Sequence, residues 1–283
     1  MKKFLTIILS LIITLTVFTG CGEKADWEKD GALKILTIGN SFSDDAVEYM
    51  WNIATSLGIK EVVVANLHIS GASLERQLNN ATTNSPSYEY RINSSGEWKQ
   101  ENRKKMLDVI TGDAWDFISV QQASVDSGVA DTFDSLDGLT EIIQQNAVDA
   151  KIVWHMTWAY QSNYDDAQFD VYNRNQNTMY QAIVETVQTK VLANQSIKAV
   201  IPSGTAIQNA RTSVLGDTLT RDGLHLTKTG RYIAGLAYVQ VLTGLDVSEV
   251  EFSPVDEDAK KICLESVKNA ISNPYTLTNS LYI

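Results

Sequence analysis

The sequence predicts an α/β protein: one doubly wound, three-layer α/β/α domain around a five-stranded parallel sheet. Three observations carry this. Short apolar runs rich in Val and Ile alternate with helical patterns along the chain. The runs are continuous instead of alternating, which suits strands covered on both faces. No Pro-rich or Ser-rich linker divides the roughly 260 residues behind the leader, a length one domain accommodates.

The elements follow in order. Residues 1–20 of MKKFLTIILSLIITLTVFTGCG carry two lysines, an apolar stretch and small residues, the layout of a secretory signal. Thr19, Gly20 and Cys21 resemble the end of a bacterial lipoprotein signal, with Phe18 in place of the usual Leu, so Cys21 is the expected lipidation site. Residues 21–31 read as a short charged tether and 32–283 as the folded domain. The expected strands are LKILTIG (33–39), EVVVANL (61–67), WDFISVQ (115–121), KIVWHM (151–156) and KAVIP (198–202). Helical patterns lie near 44–57, 101–110, 134–149, 169–193, 228–243 and 255–272. YEYRINSSGEWKQ (88–100) alternates around an SSG turn and reads as an inserted β-hairpin.

Composition narrows the function classes. The chain has 23 basic and 34 acidic residues, a net charge of −11. Cleavage after residue 20 removes Lys2 and Lys3 and no acid, which takes the net charge to about −13. An acidic surface without a Lys/Arg cluster argues against nucleic acid as a partner. Neither G-x-x-x-x-G-K nor G-x-G-x-x-G occurs, so nucleotide binding has no support, and no cysteine cluster or His-x-x-x-His supplies a metal site. No cofactor is expected. With Cys21 lipidated, Cys263 is the one remaining thiol and reads as a buried hydrophobe on a helix.

In a doubly wound sheet, ligands bind at the carboxyl edge of the strands. Ser41 follows the first strand directly, ahead of Ser43, Asp44 and Asp45 in a first helical turn. It is either the polar cap of that turn or a nucleophile at the open edge, and a nucleophile needs a base. Of three histidines, His68 and His155 end strands and suit structural hydrogen bonding. His225 lies in TRDGLHLTKTG, three residues after Asp222, where one turn lets the carboxylate hold the imidazole in the tautomer that faces a serine. Alternatively, Asp222 and Gly223 form only a turn. Asp44-Asp45 reads as a helix cap and Asp165-Asp166 as a solvated loop.

This layout resembles the SGNH, or GDSL-like, hydrolase superfamily. Gly39-Asn40-Ser41 after strand one and Asp222-Gly223-Leu224-His225 near the C-terminus match its nucleophile and Asp-x-x-His blocks. GNSFS, WDFISVQQ, HMTWAY, PSGTAIQNAR and DGLHL are similar to phrases of one exported bacterial subgroup, DUF4886. The resemblance implies a flavodoxin-like SGNH fold, Ser41, His225 and Asp222 as a catalytic triad, and an oxyanion hole from the N–H groups of Ser41 and Gly71. The superfamily's third donor is an asparagine after strand three. This chain has Gln121-Gln122 there, and Gln121 matches the subgroup's pattern better than Gln122. Trp158, Tyr160, Gln208 and Arg211, after strands four and five, are expected to line the edge, where they either contact substrate, as aromatic and hydrogen-bonding groups suit a sugar ring, or serve as packing.

The resemblance implies an exported serine esterase, lipid-anchored to the cell envelope through Cys21, that removes O-acetyl or other small acyl groups from a carbohydrate. The departure at Gln121 keeps open a non-catalytic carbohydrate-binding lipoprotein on the same scaffold. An enzyme acting on lipids or thioesters is a third reading, disfavoured because the edge loops are polar and aromatic.

Overall fold

The structure, a computed structural model, describes residues 31–283. The leader at 1–20, Cys21 and the tether, apart from Gly31, lie outside the described residues. Seven strands form one sheet: β1 (Ala32–Gly39), β2 (Glu61–His68), β3 (Tyr88–Asn93), β4 (Trp98–Lys104), β5 (Phe117–Val120), β6 (Lys151–His155) and β7 (Ile197–Ile201), in spatial order β4-β3-β2-β1-β5-β6-β7. The five expected strands are the parallel ones, and their order is flavodoxin-like. The strand count differs from expectation because the hairpin joins the sheet, with β3 antiparallel to β2.

Register aligns the carboxyl ends. Gly39 pairs with His68, Ile38 with Val120, Val120 with Trp154, and His155 with Ile201. The chain reverses direction across the sheet between β1 and β5, so the loops after Gly39 and Val120 flank the crevice that such a reversal opens. Leu33, Ile35, Leu36 and Ile38 of β1 are all buried, because helices cover both faces of this central strand.

The helices are α1 (Ser41–Val47), α2 (Met50–Ser56), α3 (Leu74–Thr82), α4 (Met106–Ile110), α5 (Leu136–Asn146), α6 (Gln176–Thr186), α7 (Ser203–Ala210), α8 (Lys228–Thr243) and α9 (Glu257–Ser272). Helices α1, α2, α7 and α9 contact α8 on one side, while α3, α4 and α5 contact one another on the other. The single helix expected at 44–57 is broken at Glu48 and Tyr49. The helix expected at 101–110 survives only from Met106, because residues 98–104 form the edge strand β4. That strand, WKQENRK, is mostly exposed, and its charges discourage pairing with a further chain. Its turn is set by Asn93, whose Oδ1 accepts from Ser95 N at 3.3 Å and Gly96 N at 2.8 Å. Among the described residues, no helix is long and apolar enough to cross a membrane.

Candidate active site

Asn40 turns β1 into α1. Its backbone is extended (φ −137°), its Oδ1 accepts from Phe42 N at 3.0 Å, and its carbonyl accepts from Ser43 N and Asp44 N, so Asn40 is the N-cap. Ser41 is thereby the first helical residue, not the cap. A side chain at Gly39 would put Cβ 2.6 Å from Ser43 Oγ and 3.0 Å from Gln121 Cδ, so the turn requires glycine. The loop after β2 is tied alongside: Ile69 N donates to Gly39 O (3.1 Å) and Asn40 Nδ2 to Ala72 O (3.2 Å). Gly71 sits on that loop at φ +60°. Among the described residues, the N–H groups of Ser41 and Gly71 carry no hydrogen bond.

The second half of the site is the 220–226 loop, closed by a bridge between Thr220 and Leu226 and by Arg221 N donating to His225 O at 2.8 Å. Asp222 Oδ1 accepts from Leu224 N (3.1 Å) and His225 N (2.7 Å), which leaves Oδ2 to face His225 Nδ1 at 2.6 Å. His225 Nε2 lies 2.8 Å from Ser41 Oγ. With Nδ1–H directed at the carboxylate, Nε2 is the acceptor for the serine O–H. Partial burial alone would raise the Asp222 pKa. The hydrogen bonds from His225 and Leu224 outweigh it and hold the carboxyl below its ordinary range. The structure therefore brings the three residues together in a continuous hydrogen-bonded chain across 184 positions of sequence.

Gln121 lies directly under this turn, across the crevice between β1 and β5. It is 2 % exposed. Its Nε2 donates to Asn40 Oδ1 at 2.9 Å, and its Oε1 lies 3.0 Å from His155 Nδ1. Burial pushes the His155 pKa down to about 3, so the ring is neutral and Nδ1–H is the donor. The carboxamide thus braces the cap of the Ser41 turn, which differs from the expected placement as an oxyanion donor facing the cleft. Gln122 is further removed: Oε1 accepts from Leu74 N and Ala123 N, and Nε2 donates to Thr132, so it fastens the start of α3.

The model of the family described as "Domain of unknown function (DUF4886)" matches residues 34–272. The chain belongs to the DUF4886 family. A crystal structure of a DUF4886 family protein from Bacteroides uniformis is 39% identical, covers 88% of this chain and 98% of its own, and superposes with a TM-score of 0.85. A putative SGNH hydrolase from Slackia heliotrinireducens is 20% identical over 74% of this chain and 98% of its own, at a TM-score of 0.52. A putative GDSL-like lipase from Parabacteroides merdae is 11% identical over 78% and 99%, at 0.50. The last two show that the DUF4886 chain shares their fold. No curated protein matches.

The four residues expected to contact substrate are all buried in the DUF4886 chain, which corrects that expectation. Trp158 Nε1 donates to Leu224 O at 2.7 Å, and its indole stacks on Phe42 with centroids 4.3 Å apart. It holds the loop of His225 against the helix of Ser41. Tyr160 is packed against Tyr164 and Phe169, its hydroxyl 2.9 Å from Ser124 Oγ. Arg211 donates to Ala159 O and to Gln208 Oε1, both at 3.0 Å. Its Nε forms an ion pair with Asp217 Oδ1 at 2.9 Å without hydrogen-bond alignment. Burial lowers the Arg211 pKa to about 10 against the opposing pull of Asp217. Gln208 Nε2 reaches Gln176 and Asn177. The physical reason is direction: these side chains leave the carboxyl edge inward and fix segment 159–162 from behind.

Sequence reasoning missed Asp45. It reads as a first-turn acid, yet it is 1 % exposed. Its carboxylate accepts from Leu226 N at 2.7 Å and pairs with Arg221 at 3.0 Å and Arg231 at 2.7 Å. Asp44, beside it, pairs with Arg91 of β3 at 2.9 Å and accepts from Asn66 Nδ2 at 2.5 Å, so the hairpin is also anchored to α1. Asn40 was visible only as the middle residue of GNS. Its side-chain role follows from Phe42 N and Gln121, and the second of these is distant in sequence. Among the described residues, no group of three or more His, Cys, Asp and Glu side chains could hold a metal ion.

Proposed function

We propose that the protein is an exported serine hydrolase of SGNH type, acting on carboxylic esters and anchored to the envelope by lipid on Cys21. The observation that carries the reading is the 2.8 Å approach of Ser41 Oγ to His225 Nε2, with Asp222 2.6 Å from the other ring nitrogen. Both distances fall in the hydrogen-bond range that a nucleophile, its base and its orienting acid need.

Ser41 Oγ attacks the ester carbonyl carbon while its proton passes to His225 Nε2. The free N–H groups of Ser41 and Gly71 stabilise the oxyanion. The intermediate collapses, the C–O bond to the alcohol breaks, and the alcohol oxygen takes the proton from His225. Water then attacks the acyl-serine with His225 again as base, releasing the acid and restoring the Ser41 hydroxyl. Asp222 stays ionised throughout and stabilises the imidazolium.

For the acyl group we infer a short one. A long acyl chain needs an apolar trough, and the exposed large apolar side chains, such as Val148, Val171, Leu192, Val214 and Leu281, lie outside the loops of the site. An O-acetylated carbohydrate fits a short acyl group on a polar alcohol. The non-catalytic reading rests on Gln121 being engaged by Asn40 instead of the cleft.

Hydrolysis of 4-nitrophenyl acetate tests the proposal. Turnover that falls at least roughly 10³-fold in Ser41→Ala and in His225→Gln supports it. Folded wild-type protein without turnover supports the binding protein instead.

A further inference from the structure

Beside the triad lies an open cleft of about 280 Å³, walled by segment 161–165 on one side and by Arg221, Asp222 and Gly223 on the other. It falls just below the ~300–1,000 Å³ range of ligand clefts, room for a single small ring. Asp222, whose carboxylate bonds His225, also lines the cleft, but neither Ser41 nor His225 does. Whatever occupies it is therefore remote from the scissile bond.

The walls are built to be rigid. Gln161 N donates to Gly223 O at 2.7 Å and Gln161 Oε1 accepts from Thr220 Oγ1 at 2.5 Å, which lock the two walls together. Ser162 N donates to Asp217 Oδ2 at 2.7 Å, and Asp217 is paired with buried Arg211. Tyr164 packs against the other wall: a Cβ on Gly223, which adopts φ +93°, would sit 2.2 Å from Tyr164 Cδ2. Its ring is held edge-on by Tyr160 at 4.9 Å. Its hydroxyl and the side chain of exposed Asn163 carry no hydrogen bond among the described residues.

The charges are nearly spoken for. Arg221 is paired with Asp45, Asp165 with Arg174, and Asp222 with His225. What the cleft offers a ligand is a mainly polar lining, with the phenol hydroxyl of an immobilised tyrosine and a carboxamide free and the charges held in ion pairs. Neutral hydrogen-bonding groups on fixed walls suit the hydroxyls of a neutral sugar ring. A charged unit would find no counter-ion there.

We propose that this cleft is a subsite for an uncharged sugar unit adjoining the acylated one, and that Tyr164 and Asn163 set a preference for oligosaccharide over monosaccharide esters. The proposal rests on the ester-hydrolase reading. Binding energy gathered at such a remote subsite is used to orient the reacting ester, so it raises kcat/KM with chain length.

The test compares kcat/KM on 4-nitrophenyl acetate with that on O-acetylated mono-, di- and trisaccharides of xylose, glucose and N-acetylglucosamine. For at least one sugar series, wild type is expected to gain roughly tenfold or more from one unit to two, with little further gain. In Tyr164→Ala and in Asn163→Ala, the ratio of disaccharide to aryl-ester kcat/KM is expected to fall by most of that gain, and Tyr164→Phe to retain about half of it on a logarithmic scale. Asn163, being exposed, keeps the test open if Tyr164→Ala fails to fold. Absence of a chain-length step in every series, or ratios unchanged in both variants, overturns the subsite while aryl-ester turnover leaves the hydrolase standing. Failure of wild type on the aryl ester itself sinks both.

Discussion

The carboxylate of Asp45 accepts the backbone N–H of Leu226 at 2.7 Å, so the helix that begins with Ser41 grips the residue next to His225. Arg221 and Arg231 close on the same carboxylate from either side of the loop. One short helix thus presents the serine and clamps the histidine, and the 2.8 Å contact between them depends on the clamp.

Asp45→Ala leaves a buried N–H and two arginines without their acceptor. Both arginines are partly exposed and regain water, which moderates the loss. A destabilisation of about 2–4 kcal/mol is expected, and about half of that in Asp45→Asn, which keeps one acceptor oxygen. Urea denaturation measures both. Equal stability of Asp45→Ala and wild type would remove the clamp.

Gln121 braces Asn40 from below, and the two readings of it differ in size. Loss of a direct oxyanion donor lowers kcat by about 10²–10³. Loss of a brace is expected to lower it by only about tenfold in Gln121→Met, with KM little changed. Gln121→Glu sets a carboxylate against Asn40 Oδ1 and is expected to be worse than Met. Steady-state kinetics on an aryl acetate rank them, and a loss near 10³ in Gln121→Met would restore Gln121 to the oxyanion hole.

Trp158 and Arg211 are framework, so their removal is expected to appear in stability before binding. Trp158→Ala empties a core position and breaks the bond to Leu224 O, for a loss of about 3–5 kcal/mol. Arg211→Ala leaves Asp217 unpaired beside a half-buried wall, for a loss of about 2–4 kcal/mol. Thermal melts measure these losses. Wild-type melting with a raised KM for glycan esters would mark either residue as a substrate contact instead.

His155 ties stability to pH. Its folded pKa is depressed to about 3 from 6.5 by burial, so between those values the unfolded chain binds a proton that the folded chain does not. Stability therefore falls as pH drops through that window, by up to about 1.4 kcal/mol per pH unit, and this contribution is flat above it. Asp222, also depressed, acts in the same direction: its contribution is present above the ordinary carboxylate range and is lost as pH falls through its lower folded value. Solvent reaches Asp222, so its share is small. His155→Gln keeps a donor for Gln121 without the titration, and its stability is expected to slope less steeply than wild type from about pH 7 to pH 4. Parallel slopes would contradict the assignment.

The fold was legible where burial on both faces left continuous apolar runs, as in LKILTIG and KIVWH, and the GNS and DGLH turns were legible because their geometry is local. Two elements were not, and a third was legible only in part. Helix α3, LERQLNNAT, buries Gln77 and Asn80 beside Leu74 and Ala81, so its inner face carries no apolar signal. Helix α7, SGTAIQNA, is buried along its whole length and opens Ser-Gly-Thr, which reads as loop. Strand β4 was legible at its start, as the second arm of the hairpin, but its charged continuation from residue 101 lacks alternation and reads as helix. In the site, the direction of a side chain is fixed by partners such as Leu224 for Trp158 and Asp217 for Arg211 that local pattern does not reveal. Asp45 is the same case, since its acceptors' partners lie 176 to 186 positions away.

The most direct test of the account is covalent labelling of folded protein with a fluorophosphonate, followed by intact mass and peptide mapping. The contact between Ser41 and His225 predicts a single adduct on Ser41 that is lost in Ser41→Ala and strongly slowed in His225→Gln. An unlabelled wild-type protein, or an adduct on any other residue, would contradict it.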